Sequence, residues 1–452
     1  MLEVFGKPFV DFAGSGYIAF SDGSRSAISF RFVQLHNGEL FLLAKQREEA
    51  GCVPIDCINN SAISISGILD DRRVFETRST PFLKSAQISF PDSGSSGFLF
   101  LLTDVAIGDG ENRGTTRFHL TNLIFVGTEK FVAENGSYML YLPIKILGLK
   151  LGIYPVSDYK EQKNIIDATR QSRVTAFVEI PTNDWNIFDA KIMMDNLCWL
   201  LSFARGTKIN WICATGFNLD NKITISEYRS AITWNYTGLS AIGSQPLESE
   251  NRLELMNFIE SSYELFSNLR KEYSIQETID TIVFAKIGNG FLEFRGMLLS
   301  TAIDGFRARW ATKNKREFIF DKADFTKRKS KLEKAVVATF ESLVNGDSNK
   351  DKRRQLYEKV KELNRRSFFD ILKELNKSMS VGLEDSQMDH FKDNRNELVH
   401  SGRFSGNRDD DLEAYKNEFW KILAFADRLI LGLLGDSRKG LVWTRNLRIS
   451  DL

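Results

Sequence analysis

Near the C-terminus of this 452-residue chain, Arg395-Asn396-Glu397-Leu398-Val399-His400 sets a guanidinium, a carboxamide and an imidazole on the last turns of a predicted helix that stops at Ser401-Gly402. These groups suit cleavage of a phosphodiester by a neighbouring 2′-hydroxyl. That reaction needs a base near neutral pH, an acid for the leaving 5′-oxygen, and positive charge for the crowded phosphate. An imidazole serves in either proton role. A guanidinium holds phosphate oxygens with two parallel hydrogen bonds. Asn396 adds a donor for the phosphate or orients its neighbours. No metal is required.

The helix must position them. Met388, Phe391, Leu398 and Val399 form its expected apolar stripe, and Arg395 falls inside it. A charge on a packing face has to be paired, with an internal carboxylate, a partner subunit or a phosphate. His400 lies five residues on, about 140° around an ideal helix. One chain therefore does not aim both side chains at one point unless the helix end loosens at Gly402. Two chains on a two-fold axis offer another route, bringing two copies of the motif into one cleft.

An arginine followed by a polar residue, with a histidine a few positions later at a helix end, resembles the active-site motif of the HEPN superfamily of helical ribonucleases, and most closely its Apea-like branch of anti-phage proteins. The resemblance implies an all-α HEPN-type bundle with Arg395, Asn396 and His400 as catalytic residues. It also implies cleavage of RNA without cofactor or metal, to 2′,3′-cyclic phosphate and 5′-hydroxyl ends, by a homodimer or larger even-numbered oligomer joined through the bundle. Transfer RNA is the substrate suggested by other defence nucleases of this kind. Phe5-Gly6-Lys7-Pro8-Phe9 and the hairpins after it look similar to the N-terminal domain fused to Apea-like HEPN domains, which implies a sensing module for a phage-derived trigger in abortive infection. Two alternatives stand beside this reading. One is a catalytically silent HEPN binding or dimerisation module, and the other is a toxin neutralised by a nucleotidyltransferase partner.

The rest of the chain predicts an α+β protein. Residues 1–245 read as a β-rich domain: short apolar stretches such as Ile28-Ser29-Phe30-Arg31-Phe32 and Leu40-Phe41-Leu42-Leu43 recur between turn signals at Ser21-Asp22-Gly23 and His36-Asn37-Gly38. One helix is expected from Asn183-Asp184 to Arg205-Gly206. A Gly-, Ser- and Pro-rich linker spans 238–250. Residues 250–436 read as a helical domain, with helices at 251–272, 290–311, 327–345, 352–379, 386–401 and 410–435, followed by a tail at 437–452 that contains Trp443.

Net charge is +1, divided as 37 Lys+Arg against 33 Asp+Glu from Glu250 onward. Two basic segments, with Lys327, Arg328 and Lys329 in one and Arg353, Arg354, Arg365 and Arg366 in the other, are candidates to track an RNA backbone. His390 reads as a satisfied surface histidine, and His36 and His119 as structural. Asp409-Asp410-Asp411 most simply serves a helix N-terminus, and Gly288-x-Gly290 starts a helix. Cys52, Cys57, Cys198 and Cys213 are too few for a disulfide framework, and Cys52 and Cys57 lack the second pair of a zinc site. No apolar run approaches the length of a membrane span, and no secretory signal is visible, so a cytoplasmic protein is expected.

Overall fold

A computed structural model gives the structure of the chain. It describes residues 7–46, 63–89, 96–110, 114–133, 136–182, 187–231, 241, 249–287, 290–340, 350–404 and 412–436. Phe5-Gly6, Cys52, Cys57, Asn183-Asp184, most of the 238–250 linker, Gly288, Asp409–Asp411 and the 437–452 tail lie outside these residues. The protein is α+β, with a β-rich N-terminal part and a helical C-terminal part. It divides into two compact units, Met1–Phe266 and Ser267–Leu452.

The first unit is one antiparallel sheet of fifteen strands: β1 Val10–Phe20, β2 Arg25–Gln34, β3 Leu40–Gln46, β4 Ile63–Leu69, β5 Val74–Thr77, β6 Phe82–Ser89, β7 Ser96–Leu102 and β8 Asp104–Gly108, then β9 Thr115–Thr121, β10 Glu129–Val132, β11 Tyr138–Ile146, β12 Leu149–Pro155, β13 Val174–Pro181, β14 Trp211–Phe217 and β15 Ile223–Arg229. The spatial order is β10-β11-β12-β13-β9-β14-β15-β8-β5-β4-β1-β2-β3-β7-β6. The two expected turns join β1 to β2 and β2 to β3, with Gly23 and Gly38 at positive φ. The sheet curls back on itself, as shown by the Gln34 side chain at the end of β2, which donates to the carbonyls of Ile212 and Arg229 on β14 and β15. Phe12, Phe32, Phe75 and Tyr228 meet inside the curl.

Helix α1, Tyr159–Thr169, falls within the stretch read as β-rich and was not foreseen; it packs on β13. Helix α2, Ile187–Arg205, occupies the span expected for it and buries most of its length, Met193, Leu197 and Leu201 included, against β9 and β14. The Cys198 and Cys213 thiols are buried, which pushes each up to about 12, so both stay protonated.

The second unit begins within α3, Ser249–Tyr273, and continues through α4 Ile275–Ile287, α5 Leu292–Lys313, α6 Lys322–Thr339, α7 Lys350–Glu362, α8 Phe368–Ser378, α9 Asp385–Ser401 and α10 Leu412–Leu433. Two differences from the expected helices have physical causes. Helix α4 was not foreseen because it is apolar on most sides, so the contrast that reveals a helical period is weak. The single helix expected at 352–379 is two, since Ser367 Oγ accepts from Asp370 N and caps a new helix. Asn364, just before that cap, donates to the Phe320 carbonyl and accepts from the Phe320 amide. Lys286 and Asp427 form a buried ion pair at 2.7 Å between α4 and α10. Arg295, also buried, lies over the Phe419 ring and donates to the Ala285 and Lys286 carbonyls at the end of α4.

His36 and His119, read as structural from the sequence, pack against one aromatic ring. They sit on either side of the Phe9 ring, at 5.6 and 5.2 Å between centroids, and neither Nδ1 has a hydrogen-bond partner. Burial, with Arg173 adding to it, lowers His36 from 6.5 to about 4; burial, with Arg117 adding to it, lowers His119 to about 3. Both are therefore neutral in the folded protein where the unfolded chain takes up protons. Their contribution to stability is complete above pH 6.5 and lost as pH falls towards 4 and 3. The thermal midpoint is expected to drop across this window, and less steeply for His119→Phe. Equal slopes for the two proteins would show that His119 does not carry the effect.

Candidate functional site

Helix α9 carries the motif. Glu384 and Gln387 form a reciprocal capping box at its start, and Gly402, at φ 69°, closes its end by donating to the Leu398 carbonyl. The helix stays regular through Ser401, so its end does not loosen before His400. Leu398 and the buried Phe404 lie against Gly296 of α5, where a Cβ would come within 2.8 Å of the Phe404 ring. Only glycine permits this approach, and it pins the motif end of α9.

The buried arc of α9 is centred on Phe391 and Leu398, with Met388 and Asn394 beside them. Val399, expected in the stripe, is 51% exposed. Arg395 lies at the margin of the arc, half-buried, and is paired as its position requires. Of the three partners considered, the internal carboxylate is the one observed: Arg395 Nη2 donates to Asp304 Oδ2 on α5 at 3.3 Å, and Nη1 donates to Asn396 Oδ1 at 3.1 Å.

A second arginine joins it. Arg307, one turn after Asp304, donates to Asp304 Oδ1 at 2.5 Å. Both guanidiniums lie near the Phe368 ring of α8, Arg307 at 4.7 Å and Arg395 at 5.3 Å from its centroid. Two cations thus share one carboxylate on an aromatic floor, which leaves a local excess of positive charge suited to an anion. The sequence reading missed Asp304, Arg307 and Phe368. They lie far from the motif in the chain, and nothing but the packing of α5, α8 and α9 brings them to it.

His400 is exposed and makes no hydrogen bond or ion pair with a described residue. Arg395 and Asn396 are together; His400 points elsewhere on the same helix. His390 has a partner the sequence did not reveal. Its Nε2 lies 2.9 Å from Glu418 Oε2 on α10, and the buried Asn394 donates to that same oxygen at 2.8 Å. Burial pushes Glu418 up, but hydrogen bonds from Lys421 and Asn394 and the nearby His390 outweigh it, so the carboxyl is held below its ordinary range.

The basic segments come together as a pair of helices. No residue of α6 is buried, and Val360 alone is buried in α7; the two pack chiefly on each other. Lys327, Lys329 and Arg354 make loose ion pairs within their own helices, with Asp324, Glu333 and Asp351. Arg353 donates to the Tyr357 hydroxyl, and Arg366 pairs with Glu374 of α8. Arg328 and Arg365 stand exposed. Among the described residues no His, Cys, Asp or Glu cluster could hold a metal ion, and no helix is long and apolar enough to cross a membrane.

Residues 111–239, from the start of β9 past β15, match the family model of the YopA central domain. This stretch is similar to that domain over less than a third of the chain. No curated protein and no solved structure matches the chain significantly.

Asp304 should be the counter-ion for both arginines. Replacing it with Asn leaves two half-buried cations facing each other, and urea unfolding is expected to show a loss of about 1–2 kcal/mol. Adding Arg307→Met should return part of that loss. A double variant no more stable than the single one would mean that Arg307 and Arg395 do not compete for Asp304.

Proposed function

We propose that the helical unit is a metal-independent endoribonuclease of the HEPN kind, acting as an anti-phage effector in the cytoplasm. The observation that carries this is the placement of Arg395: half-buried, held by Asp304, beside a second guanidinium, on the helix that presents His400 to solvent. An RNA phosphate would share the two arginines with Asp304. His400 would take the proton of the 2′-hydroxyl, the 2′-oxygen would attack phosphorus, and the P–O5′ bond would break with its electron pair. The leaving 5′-oxygen takes a proton from water and His400 returns the one it took to solvent, which gives a 2′,3′-cyclic phosphate and a 5′-hydroxyl. Asn396 would orient Arg395.

Lys327, Arg328, Lys329, Arg353, Arg354, Arg365 and Arg366 would contact the RNA backbone outside the cleavage point. Transfer RNA is the proposed substrate, and the N-terminal unit the proposed receiver of a phage-derived trigger. Arg395 and His400 leave one regular helix about 140° apart, so the complete site is proposed to form in a homodimer, from residues of both chains. A mixture of Arg395→Ala and His400→Ala proteins should then regain part of the activity that each lacks.

A second reading rests on the His390–Glu418 pair, in which a carboxylate holds an imidazole as in many acid–base sites. Purified protein incubated with RNA in EDTA separates the two. We expect His400→Ala to lose at least about a hundredfold in rate, and His390→Ala to keep most of it. The reverse result would move the catalytic imidazole to His390. No cleavage by the unaltered protein under any RNA challenge would favour a silent binding module.

A further inference from the structure

The N-terminal unit holds a cavity of about 590 Å³ that the nuclease reading does not use. Strand register explains its layout. β11 and β12 are joined by Leu147 and Gly148, both at positive φ, in a two-residue turn. One rung from that turn Lys145 faces Lys150 directly across the pair. Both are exposed, and neither forms an ion pair with a described residue. Two like charges at a directly opposed position destabilise a hairpin. An anion between them removes that cost.

The next rung on the same face is Pro143 opposite Gly152, with Glu179 of β13 beyond Gly152. Gly152 keeps the floor low, since a Cβ there would lie 2.5 Å from the Tyr154 ring. One rung further, Tyr141, Tyr154 and Phe177 stack in a row across three strands, with centroids 4.9 and 5.2 Å apart. Glu129 accepts from the Tyr141 hydroxyl at 2.5 Å. The Tyr154 hydroxyl has no hydrogen-bond partner among the described residues. On the α3 side, Glu260 spends one oxygen on the Lys145 amide at 2.7 Å. Glu179 uses Oε1 for both of its contacts with Arg117, at 3.0 and 2.9 Å. Each of the three glutamates that line the cavity therefore engages one oxygen in these contacts, and the other oxygen is available to a ligand.

The cavity is thus bipolar. Two ammonium groups stand at one end. Glu260 stands beside the Lys145 amide at that same end, while the Glu179 carboxylate follows at about 7 Å and the Glu129 carboxylate and Tyr154 hydroxyl at about 13 Å along the strands. Ammonium groups bind phosphate, while carboxylate oxygens accept from hydroxyls or amines. The cavity also falls within the size range of small-molecule sites. We propose that it binds a small phosphorylated polyol, such as a nucleoside monophosphate or a sugar phosphate, with the phosphate between Lys145 and Lys150 and the hydroxyls on Glu179, Glu129 and Tyr154. The site lies wholly in the segment similar to the YopA central domain, apart from the α3 residues, and does not depend on the nuclease reading.

Titration calorimetry on the full-length protein with AMP, ribose 5-phosphate, adenosine and inorganic phosphate tests it. AMP or ribose 5-phosphate should bind at least about tenfold tighter than adenosine and than inorganic phosphate. A preference for AMP identifies a nucleotide, and equal binding identifies a sugar phosphate. The Lys145→Ala/Lys150→Ala protein should melt no lower than the unaltered one, because both side chains are exposed and their mutual repulsion is removed, and should lose about tenfold or more in affinity. Tyr154→Leu should weaken binding as well. The proposal is overturned if neither phosphorylated compound binds at millimolar concentration. Adenosine or inorganic phosphate matching AMP, or unchanged binding by the folded double-lysine variant, would overturn it equally.

Discussion

A guanidinium on the packing side of a helix has to find a carboxylate, and the centre of the helical unit is arranged around that requirement at Arg395. Asp304 supplies the charge from α5, Arg307 takes the other oxygen of the same carboxylate, and Phe368 of α8 lies near both cations. Three helices are held in one geometry by a group that stays partly open to solvent. The Lys286–Asp427 pair, by contrast, is buried, at 2.7 Å. The Asp304 cluster is different: it keeps two cations against one anion at a surface, which leaves positive charge in excess.

The parts of the fold set by local pattern were legible. Alternating apolar residues and the turns at Asp22-Gly23 and Asn37-Gly38 marked β1 to β3, and Gly402 marked the end of α9. The spacing of Phe391, Arg395 and Leu398 was enough to say that Arg395 must be paired. Its partner could not be named, because Asp304 lies 91 positions away and looks like any carboxylate on an amphipathic helix. Val399 was misplaced for a related reason: the helical period gives the angle between residues but not the centre of the buried arc, which α5 and Phe404 determine. Glu418, the partner of His390, was hidden in the same way. The order of fifteen strands was also beyond reach, since β9 pairs with β13 and β14 through long connections that leave no local trace.

Both units place charge where the fold does not need it. In the sheet, Lys145 faces Lys150 although opposite charges would pair better there. In the bundle, α6 and α7 bury almost nothing and carry six Lys/Arg each. Positions that cost stability or contribute little to it are where a protein can hold residues for a ligand. In this account the ligands are a phosphorylated small molecule at the sheet and an RNA backbone at the bundle.

The central claim is that Arg395 and His400 cut RNA by internal attack of the 2′-hydroxyl. End-group analysis of RNA incubated with the protein in EDTA addresses it directly. The account predicts fragments with 2′,3′-cyclic phosphate and 5′-hydroxyl ends, absent with Arg395→Ala. Fragments with 5′-phosphate and 3′-hydroxyl ends, or cleavage that stops in EDTA and returns with magnesium, would contradict it.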